Sequence, residues 1–257
     1  MELNCSEAAG RFASYVKSYN VNDEKVRLKI EHTYKVAELC RKIAESEKLS
    51  SEDADLAWLT GLLHDIGRFE QLRRFGTFID AQSIDHASFG ADLLFQEGLI
   101  REFVKDNCND TLIENVLRTH SLFRLPPEFD ERTLMFCHIL RDADKVDIMR
   151  VNVETPLEEI YNVTTERLRR DEISPKVFDS FREEHATFRE YCQSALDYLA
   201  SHISLVYELV YPYSIYEAYH QGFLQKMMDF ESENPHTKKQ VQEIKERVGA
   251  YLERKLA

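Results

Sequence analysis

Residues that turn a chain are scarce here, with eight glycines and six prolines in 257 residues. A sandwich or barrel of short strands needs a turn signal roughly every 8–12 residues, so this chain is expected to be built from long helices instead. Cap residues and apolar periodicity mark those helices out. Ser6 opens a helix over 6–19, and Asn22 opens a long one to about Glu47. In that second helix His32, Val36, Leu39 and Ile43 recur at helical spacing, which turns His32 inward. Ser50 or Ser51 caps a third helix whose apolar residues Leu56, Leu59, Leu62 and Leu63 run into His64 and Asp65. Gly67 is suited to ending that helix, and residues 69–84 read as an irregular loop beside it. Asp85 caps the next helix, which Gly98 ends; Asp110 caps residues 111–120; Asp130 caps a helix over about 131–152.

Beyond that point Thr155-Pro156 and Ser174-Pro175 are helix openings with proline at the first position. Residues 189–210 read as a core helix stopped by Pro212; Ser214 and Asn234-Pro235 open the last two helices, the final one charged and superficial. No repeat, linker or low-complexity segment interrupts the series. The expectation is one all-α domain over 1–257, with a core at about 22–152 and a helical extension at about 155–257.

Charge and cysteine usage narrow the partners. Lys and Arg total 33 against 46 Asp and Glu, a formal net charge of −13. Gripping a nucleic-acid duplex needs a basic face, so that class is set aside, while a small phosphorylated substrate needs only a few local cations. No run approaches the ~18 apolar residues of a membrane span. The five cysteines are scattered without a C-x-x-C pair, which suits reduced thiols and a cytoplasmic location. A tyrosine-rich stretch near 207–219 leaves a homo-oligomer open.

The stretch LTGLLHDIGR, residues 59–68, places an imidazole and a carboxylate side by side where an apolar helix ends. Such groups are costly to bury unless paired, hydrogen-bonded or metal-bound. With the inward-turned His32 upstream and Asp144 of RDADKVD downstream, the chain presents the ordered set H…HD…D. Imidazole and carboxylate donors suit Mn, Fe, Co, Ni or Zn, with Mg also tenable, and leave positions open for water and a phosphoryl oxygen. Arg68 follows the pair at a distance suited to a bound phosphate. Arg73, Arg74, Arg124 and Lys145 are further candidate cations for substrate, and Phe75, Phe78 and Phe89 are either packing residues or surfaces for a base. His86 and His120 stand at helix ends, either hydrogen-bonded there or facing the same cleft.

Over residues 25–150 the HDIGR and DADKVD motifs resemble those of the HD-domain superfamily of metal-dependent phosphohydrolases. The resemblance implies a bundle in which His32, His64, Asp65 and Asp144 hold one divalent ion. It selects Asp144 over Asp142 as the ligand; Asp147 is then expected either to pair with a cation or to support a ligand. In two-metal members the order is H…HD…H…H…D, matched here by His86 and His120, with Asp65 bridging. The implied activity is hydrolysis of a phosphate ester or anhydride of a nucleotide or related small molecule by metal-activated water, with Asp65 and Arg68 as catalytic residues. A di-iron oxygenase on the same scaffold and a non-catalytic nucleotide sensor are the alternatives.

Overall fold

A computed structural model describes residues 3–257, all its regular elements being helical. The chain divides into two compact units, up to Asp144 and from Lys145 onward. The boundary falls inside one continuous helix, Glu131–Glu154, which is why no linker marks it in the sequence.

The first unit comprises α1 (Cys5–Val16), α2 (Glu24–Ser46), α3 (Ser51–Leu63), α4 (Ile66–Phe75), α5 (His86–Phe95), α6 (Asp110–Thr119) and the start of α7 (Glu131–Glu154). Asn4, Asp23, Ser50 and Asp85 cap α1, α2, α3 and α5 by accepting a backbone N–H of the first turn. The first two caps lie beside the expected Ser6 and Asn22: the side chains that reach a free N–H are Asn4 and Asp23. Asp130 accepts from Thr133 N at 2.8 Å and so opens α7.

The expected loop over 69–84 is corrected at its start. Residues 66–75 form α4, whose terminator is Gly76 in the left-handed region at φ 69°. Gly67 lies inside the helix, where it serves close packing. A Cβ there would stand 2.7 Å from Gly90 N and 2.7 Å from His86 O of α5. Likewise a Cβ on Gly61 would stand 2.6 Å from Ala37 Cα, so α2 and α3 approach backbone to backbone. Around these contacts Val36, Ile43, Leu59, Leu62, Leu63, Ile66 and Phe69 are fully or almost fully buried. At about 1.5–3 kcal/mol for each large apolar side chain removed from water, this packing fixes where the ends of α3 and the start of α4 lie.

The second unit holds α8 (Leu157–Tyr161), α9 (Thr165–Arg170), α10 (Pro175–Arg182), α11 (Ala195–Ser204), α12 (Pro212–His220), α13 (Phe223–Met228) and α14 (Pro235–Leu256). The expected helix over 189–210 is broken, because Ser194 and Asp197 form a reciprocal capping box that starts α11 afresh. Pro212 opens α12 instead of stopping a helix, and Ser214 lies within it. The buried Asp197 carboxylate also accepts from Ser174 N and Oγ at 2.7 and 2.6 Å, tying the start of α10 to that of α11. Helix α14 is amphipathic: Ile244, Val248, Tyr251 and Leu252 are buried beneath its charged face. Asp147 pairs with Arg150 through two hydrogen bonds of 2.7 and 2.8 Å, the first of the two roles expected for it.

Among the described residues no helix is long and apolar enough to cross a membrane, and all five cysteines are free thiols.

Candidate metal centre

Five elements of the first unit bring six side chains together. Helix α2 carries His32, the α3–α4 junction His64 and Asp65, the first residue of α5 His86, the C-cap of α6 His120, and α7 Asp144. His32, His64, Asp65, His86 and His120 are each no more than 5% exposed. Asp144 is the opening, its side chain one-fifth exposed.

The two oxygens of Asp65 face different partners. Oδ2 lies 3.4 Å from His64 Nε2 and 3.7 Å from His32 Nε2, while Oδ1 lies 3.5 Å from His86 Nε2. Asp144 Oδ1 stands on the first side, 3.2 Å from His32 Nε2 and 3.9 Å from His64 Nε2. On the other side the Nε2 atoms of His86 and His120 are 3.1 Å apart. Two groups, His32–His64–Asp65 and Asp65–His86–His120, therefore each offer three ligand atoms mutually within 4.8 Å, and they share Asp65.

Three of the imidazoles are oriented from behind. His64 Nδ1 donates to Gly61 O at 2.7 Å and His120 Nδ1 to Leu117 O at 2.6 Å. A carbonyl only accepts, so Nδ1 carries a hydrogen in both rings and Nε2 is the nitrogen left to face inward. His86 Nδ1 is held by Asp80 Oδ2 at 2.7 Å. This backing by carbonyl or carboxylate is how metal-ligating histidines are normally fixed.

The donor set fits a divalent ion. His64 Nε2 is buried with no hydrogen-bond partner, an orphaned acceptor that costs free energy unless something electrophilic meets it. The two facing Nε2 atoms of His86 and His120 need a proton or a cation between them. Protonation is made costly at His120, whose pKa is pushed down to about 3 by burial and then by the neighbouring His86 and His64. Burial would raise the Asp65 carboxyl, yet Lys29, His64 and His86 overcome it and hold the group well below the carboxylate range. Asp144 is likewise held low, burial being outweighed by its hydrogen bond with His32 and the charges of His64 and His32. Ionised carboxylates and imidazole nitrogens free of a proton are the states that bind a metal, and an arriving ion would displace protons from this cluster.

Among the candidate substrate cations, Arg68 faces the cluster, with Nε 3.6 Å from Asp65 Oδ1. Its Nη1 is committed to the neighbouring loop, donating to Asp80 Oδ1 at 2.6 Å, Phe78 O at 2.7 Å and Gln71 Oε1 at 2.8 Å. Arg73 pairs with Glu70 at 2.5 Å and stacks on Tyr19. Arg74 also pairs with Glu70, and Arg124 is exposed over the Phe123 ring. Lys145 is buried and belongs to the second unit. Asp142 is fully buried.

Three residues escaped the sequence reading. Lys29 Nζ is 2.6 Å from Asp65 Oδ2, and its only sequence signal is its place one helical turn before His32. Asp80 backs both His86 and Arg68, and burial is again overcome, here by His86 and Arg68, so its carboxyl is held low. Arg141 of α7 donates to the carbonyls of His120, Leu122 and Phe123, pinning the segment after α6. No linear pattern announces these last two.

Residues 30–149 match the HD domain family. A segment of 49 residues is 45% identical to the 3'3'-cGAMP-specific phosphodiesterase 1 of Vibrio cholerae serotype O1, covering 19% of this chain and 11% of that protein. The match thus spans about a tenth of the length of that relative. No solved structure matches.

Proposed function

With residues 30–149 an HD domain, the unit of a family of metal-dependent phosphohydrolases, we propose that this chain hydrolyses a phosphate ester or anhydride of a nucleotide-like small molecule at a two-ion centre. The observation that carries the reading is the shared carboxylate, with Asp65 Oδ2 turned to His32 and His64 and Oδ1 to His86. His32, His64, Asp65 and Asp144 would hold one divalent ion, and Asp65, His86 and His120 a second. Such ions supply positive charge to the phosphoryl oxygens and lower the pKa of a water.

The protein's own part is to prepare that setting. Gly61 O and Leu117 O fix the orientation of His64 and His120, so neither ring needs to turn. Asp65 and Asp144, held ionised, are acceptors that orient an attacking water. Arg68 braces Asp80 and, through Asp80, His86, while its Nε presents a donor toward the place where phosphoryl charge develops. Nucleotide-like substrates are supported by the segment shared with a phosphodiesterase specific for 3'3'-cGAMP. A cyclic dinucleotide is accordingly the first diester to try.

The test is an assay of Mn²⁺-reconstituted protein on an aryl phosphomonoester, a bis-aryl phosphodiester and 3'3'-cGAMP. Turnover of at least one is expected, and Asp65→Ala abolishes it while leaving the helical circular dichroism unchanged. A variant that turns over as fast as its parent refutes the assignment.

A further inference from the structure

We propose that Lys29 is a built-in counter-cation of this centre, which holds the shared carboxylate when no divalent ion is present and competes with the ion for it. The inference rests on the metal reading above and adds a residue that opposes loading.

The geometry is specific to one oxygen. Lys29 Nζ lies 2.6 Å from Asp65 Oδ2, the same atom that faces His32 Nε2 and His64 Nε2. An ammonium and an ion held by that group therefore address one oxygen. Lys29 and His32 stand three residues apart on α2, so the helix delivers a ligand and a competitor from the same face. Asp65 has a side chain only 3% exposed, and a buried carboxylate without a cation is strongly destabilising. The other cation facing it is Arg68, farther off at 3.6 Å and with Nη1 committed to Asp80, Phe78 O and Gln71. Among the described residues, Lys29 is therefore the close compensation for Asp65 in the metal-free protein.

An ion changes the sign of that role. A divalent cation on Oδ2 meets the ammonium as a like charge at short range. The lysine side chain is 22% exposed and ends a flexible four-carbon stem, so it has a way out to solvent. Removing the charge at position 29 should weaken the metal-free fold and strengthen ion binding. A residue that merely supported the ligands would, on removal, weaken both.

The experiment compares the parent, Lys29→Met and Lys29→Arg by thermal melting in excess chelator and by calorimetric titration with Mn²⁺, with His64→Ala identifying binding at this centre. Lys29→Met is expected to melt below the parent in chelator and to bind Mn²⁺ about tenfold more tightly, a small part of the repulsion between charges this close. Lys29→Arg, which keeps the charge, should stay near the parent in both. Should Lys29→Met fold only when loaded, Mn²⁺ release into chelator reads the same competition, and slower release than from the parent supports it. Binding no tighter than the parent's, or equal or faster release, overturns the role of Lys29 and leaves the metal reading intact. A parent that shows no His64-dependent Mn²⁺ binding overturns both.

Discussion

Substituting Gly67→Ala probes how the fold builds the second half of the centre. The added Cβ would stand 2.7 Å from Gly90 N, 2.7 Å from His86 O and 2.9 Å from Gly90 Cα. All three are backbone atoms of α5, so no side-chain rotation relieves them. Reaching ordinary contact requires α5 to retreat from α4 by about 0.7 Å, and overpacking of this kind costs about 1–3 kcal/mol. Replacing a helical glycine with alanine returns about 0.5–1 kcal/mol, so a net loss of about 1–2 kcal/mol remains. The displacement falls on His86, the first residue of α5, whose Nε2 is already 3.5 Å from Asp65 Oδ1. His32, His64 and Asp144 lie on other elements and keep their positions. Gly67→Ala should therefore lower the melting temperature and remove one of two bound ions, read by denaturation together with metal analysis after equilibration with Mn²⁺. Gly10→Ala is the control: a Cβ on Gly10 meets nothing within 4 Å, so that helical substitution should be neutral or stabilising. A Gly67→Ala protein as stable as Gly10→Ala and with its metal content unchanged would refute the close-packing argument.

Asp80→Asn removes the carboxylate that backs His86 and Arg68, and should weaken binding of the second ion by about 10–100-fold while sparing the first, measured by two-site titration. In the second unit, His202 contacts Tyr161 and Asn152, and burial and then Arg189 push its pKa down to about 4. Because the unfolded chain takes up this proton near pH 6.5 and the folded one does not, stability should fall between about pH 6.5 and pH 4, by up to about 3 kcal/mol from this residue. Urea denaturation at pH 7 and pH 4.5 checks this, since His202→Gln should flatten the difference and an unchanged pH slope would discount it.

The sequence carried the helices and the ligand types further than the way they meet. Caps such as Ser50 and Asp85 are local, and a side chain three residues from the N–H it accepts can be read from spacing alone. His32 was legible because apolar periodicity turned it inward, and His64-Asp65 because the pair is costly in an apolar setting. Gly67 shows the limit. A glycine suits a helix terminus and a backbone contact equally, and only the approach of Gly90 decides between them. The same applies to Arg68, whose acceptors Phe78 O and Asp80 come from the loop that closes over α4. Lys29 and Asp80 are ordinary surface-type residues until tertiary packing sets them against Asp65 and His86.

The central claim is that one carboxylate, Asp65, serves two ion sites. The most direct test is the number and position of ions in crystals of the Mn²⁺-loaded protein, read from anomalous scattering. The account predicts two peaks flanking Asp65, one beside His32, His64 and Asp144 and one beside His86 and His120. A single peak, or none between His32 and His120, would contradict it.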